Sequence, residues 1–121
     1  MAATFSPELL SEAALQLIAA RFKAFSEPLR LKLIVALHAG EKNVTDLLNA
    51  TGTSQAKVSR QLCQLTDAGI LSRRKEANSV YYSISDPATF ELCHHVCGSL
   101  YRQFVEQGEV SALFTPAPSR R

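Results

Sequence analysis

The residues in this chain best suited to chemistry are three thiols and a cluster of cations. In Cys93-His94-His95-Val96-Cys97 two cysteines stand at i and i+4. On a helix that spacing puts both on one face, with Cβ atoms about 5–6 Å apart. An unstrained disulfide needs about 3.8 Å, so a helical pair is better suited to sharing one soft ion than to bonding with itself. A third ligand would complete a trigonal site for As(III) or another thiophilic metal ion. Cys63, His94 and a residue of a partner chain are the options. Packing explains the same residues in another way, because Cys93 and Cys97 share a helical stripe with Phe90, Leu100 and Phe104, and cysteine often serves as a small buried hydrophobe. Oxidation or persulfidation of thiols on different helices or subunits is a further route, and like metal binding it requires accessible thiolate. These three readings stay open at the level of sequence. His94 and His95 are adjacent, so they face different directions and cannot both join the cysteine stripe.

The cations lie elsewhere. Between Thr53 and Lys75, the bases Lys57, Arg60, Arg73, Arg74 and Lys75 are opposed by Asp67 alone, a net +4 in a chain whose total is +2. Within that segment Val58, Leu62 and Leu65 recur at i, i+4 and i+7, the signature of a half-buried helix. At about 100° per residue, Lys57, Arg60 and Gln64 point away from the apolar stripe and Ser59 lies on its shoulder. A buried stripe backed by basic and amide side chains suits a reader of duplex DNA, since neutralising phosphates releases condensed counterions.

The elements that must position these groups follow from start and stop signals. Asn43 is an N-cap for a short amphipathic helix through Leu47 and Leu48, Gly52 ends it, and Thr53 or Ser54 caps the next helix, which Gly69 closes. Ile70 to Lys75 and Ser79 to Ile84 alternate in polarity and are rich in β-branched and aromatic residues, with Glu76-Ala77-Asn78 as their turn. The order is helix, turn, helix, wing. Upstream, Ser6-Pro7-Glu8 predicts a helix start with Leu10, Ala14, Leu17, Ile18 and Phe22 as its stripe. Ser26-Glu27-Pro28 predicts a second helix, apolar on most sides and therefore central to the core, ended by Gly40. Downstream, Ser85-Asp86-Pro87 opens a helix that carries the cysteine stripe and ends near Gly108. The expected fold is mainly α with a two-stranded β-wing, a winged helix-turn-helix in the order α-α-α-α-β-β-α. Residues 1–108 form one domain in this reading and 109–121 a partly disordered tail.

Three of these motifs resemble, in order, the signature of the ArsR/SmtB winged-helix repressors. They are Phe22-Lys23-Ala24-Phe25-Ser26-Glu27-Pro28-Leu29-Arg30-Leu31, then Ser54-Gln55-x-x-Val58-Ser59-Arg60-x-Leu62-x-x-Leu65 with Gly69-Ile70-Leu71, then Val80-Tyr81-Tyr82. The resemblance spans roughly residues 15 to 105. It implies a homodimer paired through the first and last helices, with two recognition helices in successive major grooves of a double-stranded operator, released when an inducer binds. Carried over by position, it implies DNA contacts at Ser54, Gln55, Lys57, Ser59, Arg60 and Gln61, with Arg73, Arg74, Lys75 and Asn78 at the wing. Gln and Arg can pair with base edges, whereas Lys and Ser more often hold phosphate.

The chain departs from the family at its usual sensing sites. Where arsenic and cadmium sensors carry a Cys-x-Cys ahead of the recognition helix, this chain has Glu41-Lys42-Asn43-Val44-Thr45-Asp46-Leu47. Asp86 matches one zinc ligand of the zinc sensors, but Ala88 replaces the histidine and no His-x-x-Glu follows. Cys93, Cys97 and Cys63 therefore remain as the candidate metal or thiol sensing residues, and no obligatory cofactor is implied. A protein-interaction module without an inducer is the alternative from another class; it would present an acidic or apolar face where this helix is basic and polar. Catalysis is not expected. Ser59, His38 and Asp46 could in principle form a nucleophilic set, but nothing in their spacing brings them together, and no Gly-rich phosphate loop or nucleophile elbow is present. His38, near a helix C-terminus, is placed to favour that end of the dipole. With three cysteines and no Cys-x-x-Cys pair, no disulfide framework is expected, and a cytoplasmic protein without a membrane segment is the reading.

Overall fold

A computed structural model describes residues 6–108. The chain divides after Asp86 into two compact units. The first unit opens with a 3-10 turn, Pro7–Leu9, and not with the α-helix expected from Ser6-Pro7-Glu8; Leu10 is extended and breaks the run. Helix α1 (Glu12–Ala24) starts instead on Ser11, whose side chain accepts the Ala14 N–H at 3.1 Å. Proline fixes φ equally well for a single 3-10 turn, so the upstream signal marked a turn, and the serine of the true cap lies five residues later.

Helix α2 (Pro28–Ala36) begins on Pro28 as expected and runs into a 3-10 turn, Leu37–Ala39, that carries His38 and stops at Gly40. Its burial is one-sided. Leu33, Ile34 and Leu37 are buried, as expected of a helix central to the core, whereas Leu31 is 39% and Val35 68% exposed, so its apolar surface is only partly enclosed. Helix α3 (Val44–Thr51) is capped by Asn43, whose side chain accepts from Asp46 N–H at 2.8 Å. At its end Gly52 takes φ +70, a left-handed conformation open to glycine at little cost. Helix α4 (Gln55–Asp67) buries Val58, Leu62 and Leu65 completely or nearly so. With Leu33, Ile34, Leu47, Ile70 and Leu71 they form one apolar core, where α2, α3 and the strand that starts at Leu71 pack on α4, and α2 packs on α3.

The expected two-stranded wing is present, and a third, short strand joins its sheet. Strands β2 (Leu71–Glu76) and β3 (Ser79–Ile84) pair antiparallel, with Arg73 opposite Tyr82, Arg74 opposite Tyr81 and Lys75 opposite Val80. A two-residue strand β1 (Lys42–Asn43), just before α3, adds to the free edge of β3 and gives the order β1-β3-β2. It covers an edge that would otherwise offer unpaired backbone groups and ties the start of α3 to the wing. The hairpin turns through Ala77 and Asn78, Ala77 being the one non-glycine with positive φ, +56, among the described residues.

The second unit contains α5 (Ala88–Glu106), whose first turn follows Pro87. Gly108 beyond it has φ +74. The expected tail, 109–121, lies outside the described residues. No helix among the described residues is long and apolar enough to cross a membrane.

Candidate functional site

The face of α4 opposite its buried stripe is built from side chains that reach solvent. Ser54 is the N-cap, its Oγ accepting the Lys57 N–H at 3.3 Å, and its hydroxyl proton remains available as a donor. Gln55, Lys57, Ser59 and Arg60 are exposed. Val58, Leu62 and Leu65 fix the rotation of the helix, so packing in the core decides which residues face outward.

Gln61 departs from the expected set. It is 7% exposed, and its side-chain oxygen accepts from Arg30 Nε on α2. A buried amide oxygen held by a guanidinium is not available to a base edge, so Gln61 is removed from the candidate contacts. Gln64, one turn on, is exposed and accepts from Arg30 Nη2. Arg30 also directs Nη1 to the carbonyls of Lys23 and Ala24 at the end of α1, at 3.3 and 3.4 Å. Sequence reasoning missed this arginine because its partners on α4 stand 31 and 34 positions away.

The wing sorts its cations by strand alternation. Arg73 and Lys75 point to one face of β2 and Arg74 to the other. Arg74 is engaged within the fold: it donates to both carboxylate oxygens of Glu41, at 2.9 and 2.8 Å, and to Glu76, and its guanidinium lies 4.9 Å from the centroid of the Tyr81 ring. The hydrogen bond from Arg74 holds the Glu41 carboxyl below the usual carboxylate range, and the same pairing raises Arg74. Arg74 is thus paired within the fold although exposed, whereas Arg73, Lys75 and Asn78 are exposed beside it on the wing. The candidate interface left by these placements is Ser54, Gln55, Lys57, Ser59 and Arg60 on α4 with Arg73, Lys75 and Asn78 on the wing.

The thiols sit in two places. Cys63 is exposed on α4, with Sγ 3.8 Å from Asp67 Oδ2. On α5, Cys93 is half-buried and Cys97 exposed, one helical turn apart as the spacing requires. Burial pushes the Cys93 thiol above its ordinary value. The rings of His94 and His95 meet edge to face at 5.8 Å. Among the described residues, no three side chains of His, Cys, Asp or Glu gather as a metal-binding set.

A helix-turn-helix with a basic outer face, followed by a β-hairpin carrying cations, defines a winged helix-turn-helix protein. Residues 27–73 match the family of bacterial regulatory proteins of the arsR type. The chain is 35% identical over 94 residues to a transcriptional repressor SmtB homolog of Synechocystis, covering 78% of this chain and 71% of that protein. It is also 35% identical over 71 residues to a probable mercury resistance operon repressor of Streptomyces lividans, covering 59% of this chain but only 57% of that protein. Among solved structures it superposes on Mycobacterium tuberculosis Rv0081 with a TM-score of 0.74 at 30% identity, covering 80% of this chain and 98% of that one. The AntR antimony-specific transcriptional repressor gives 0.68 at 30% identity, covering 88% and 99%. The chain belongs to the ArsR family of transcriptional repressors.

Proposed function

We propose that this chain is an operator-binding repressor whose α4 enters the major groove while the wing lies along the flanking backbone. The observation that carries this reading is the exposed Lys57-Ser59-Arg60 face on a helix whose opposite face is locked by fully buried Val58 and Leu62. Arg60 and Gln55 are suited to base edges, and Lys57, Ser54, Arg73 and Lys75 to phosphate. The repressor acts as a homodimer through α1 and α5. Both helices carry large apolar side chains that a single chain leaves exposed, Leu17 and Phe22 on α1 and Leu100 and Val105 on α5, and such surfaces mark contact sites. Two recognition helices then read half-sites about 34 Å apart.

The inducer in this proposal is a soft metal(loid) held by Cys93 and Cys97, with a third ligand from Cys63 or from the partner chain. Similar proteins include a probable mercury resistance operon repressor and an antimony-specific transcriptional repressor, and both elements are thiophilic. Burial raises the Cys93 thiol, which opposes metal binding and oxidation alike, since both use the thiolate. The exposure of Cys97 and Cys63 supports the second reading, in which reactive sulfur or an oxidant modifies the thiols.

The DNA-binding half is tested by selecting duplexes from a random library with the purified protein. Recovery of a near-palindromic site supports it. Failure to enrich any sequence, with equal binding to all duplexes, would leave a winged-helix module without an operator.

A further inference from the structure

Helix α1 contributes no fully buried residue to the core, so interdigitated apolar packing does not fix its end against α4. Two arginines make that connection. Arg30 uses the Nε and Nη2 edge of its guanidinium for the side-chain oxygens of Gln61 and Gln64, which stand three residues apart on α4. Its third nitrogen, Nη1, points at the Lys23 and Ala24 carbonyls, among the last of α1. Arg21, near the end of α1, donates from Nη2 to the Ala68 carbonyl at the C-cap of α4, at 3.1 Å. The C-terminal end of α1 is thus joined to α4 at its middle and at its end, and every link is a charged donor on a neutral acceptor, stronger than neutral pairs.

We propose that Arg21 and Arg30 form a clamp that sets the position of the recognition helix relative to the end of α1. Both are positioning residues for DNA recognition and neither is a DNA contact. The planar fork of arginine is what the site uses: one guanidinium serves oxygens on two helices at fixed angles, and lysine, a compact point charge, cannot reproduce that geometry. The clamp also turns the amide nitrogens of Gln61 and Gln64 away from Arg30, because a guanidinium offers only donors. Gln64 is exposed, and its NH2 group takes no part in the clamp. A displacement of α1 is transmitted through the clamp to α4, which would link the proposed dimer helix to the reading head.

This inference rests on the operator-binding reading, and the test separates the two. Wild type, Arg30→Lys, Arg21→Lys and the double variant are compared on the duplex selected by wild type and on a scrambled duplex, across salt concentrations, with thermal melting of each. Amide hydrogen exchange across residues 55–68 is followed without DNA. The clamp is supported if Arg30→Lys weakens binding to the selected duplex roughly tenfold, leaves scrambled binding and the salt slope unchanged, and speeds exchange in α4 while the protein still melts cooperatively. It is overturned if binding to the selected duplex stays within twofold in both single variants and α4 exchange is unchanged. A smaller salt slope would also overturn it, by making the arginines phosphate contacts. If wild type selects no sequence, the operator reading fails, and exchange in α4 alone decides the clamp.

Discussion

Replacing Arg60 by alanine tests how the outer face of α4 is used. Arg60 is exposed, with no hydrogen bond or ion pair among those described, so its removal leaves the fold intact. It lies six residues beyond the Ser54 cap, about 9 Å along the helix axis, within the part of a recognition helix that reaches base edges. A bidentate arginine contact to guanine discriminates by about 1–3 kcal/mol. The proposed homodimer would lose two such contacts, about 2–6 kcal/mol, or roughly 30-fold to 10⁴-fold in affinity. The loss should fall on the selected duplex and spare scrambled DNA, with the slope of log affinity against log salt unchanged. Fluorescence anisotropy at four or five salt concentrations measures both. Lys57→Ala is the internal comparison: as a phosphate contact in two protomers it should weaken all duplexes alike and reduce the slope by about 1.8. Equal losses on both duplexes with a reduced slope in Arg60→Ala would refute its assignment to a base edge. No loss at all would refute the placement of α4 in the groove.

Other outcomes follow from single features of the fold. Ala77 sits at φ +56 in the first position of the two-residue hairpin turn, where glycine is the preferred residue; Ala77→Gly should stabilise the wing by roughly 1 kcal/mol, and a lowered melting temperature would contradict this. The Glu41 carboxyl is held down by Arg74, so the stability this pair adds is present above the ordinary carboxylate range and fades as pH falls through the lowered pKa of Glu41. An NMR titration should place the Glu41 midpoint below that of an unpaired glutamate, and Arg74→Gln should return it to the ordinary value; an unshifted wild-type midpoint would refute the pairing. Leu62 is completely buried, and Leu62→Ala should cost about 2–5 kcal/mol, lowering the melting temperature by roughly 10–30 °C. A change of only a degree or two would mean that α4 is not packed as described.

Local signals carried the fold. The caps at Asn43 and Ser54, the stop at Gly52 and the stripe of Val58, Leu62 and Leu65 depend on residues within a turn or two of each other, and the structure has them where the sequence places them. What escaped depends on distant partners or very short elements. Strand β1 is two residues long and exists only because β3 offers an edge, so no periodicity could announce it. Gln61 stood among the contacts only by resemblance, and Arg30, on another helix, claims its oxygen. Arg74 looked like its neighbours Arg73 and Lys75, yet strand alternation and Glu41, thirty-three residues earlier, set it apart. The cysteine pair was legible as a spacing. Its ligands were not, since a third partner would come from another element or another chain.

The measurement closest to the central proposal is operator-fragment binding by the reduced protein, titrated in parallel with arsenite, cadmium, zinc and a persulfide donor, for wild type and Cys93→Ser. The expected result is release of wild type by a soft ion, with Cys93→Ser keeping its DNA affinity and losing its response. Release by the sulfur donor alone would replace the metal(loid) site with a thiol switch. No release by any of them, or full release in Cys93→Ser, would contradict sensing at the α5 pair and return those cysteines to packing.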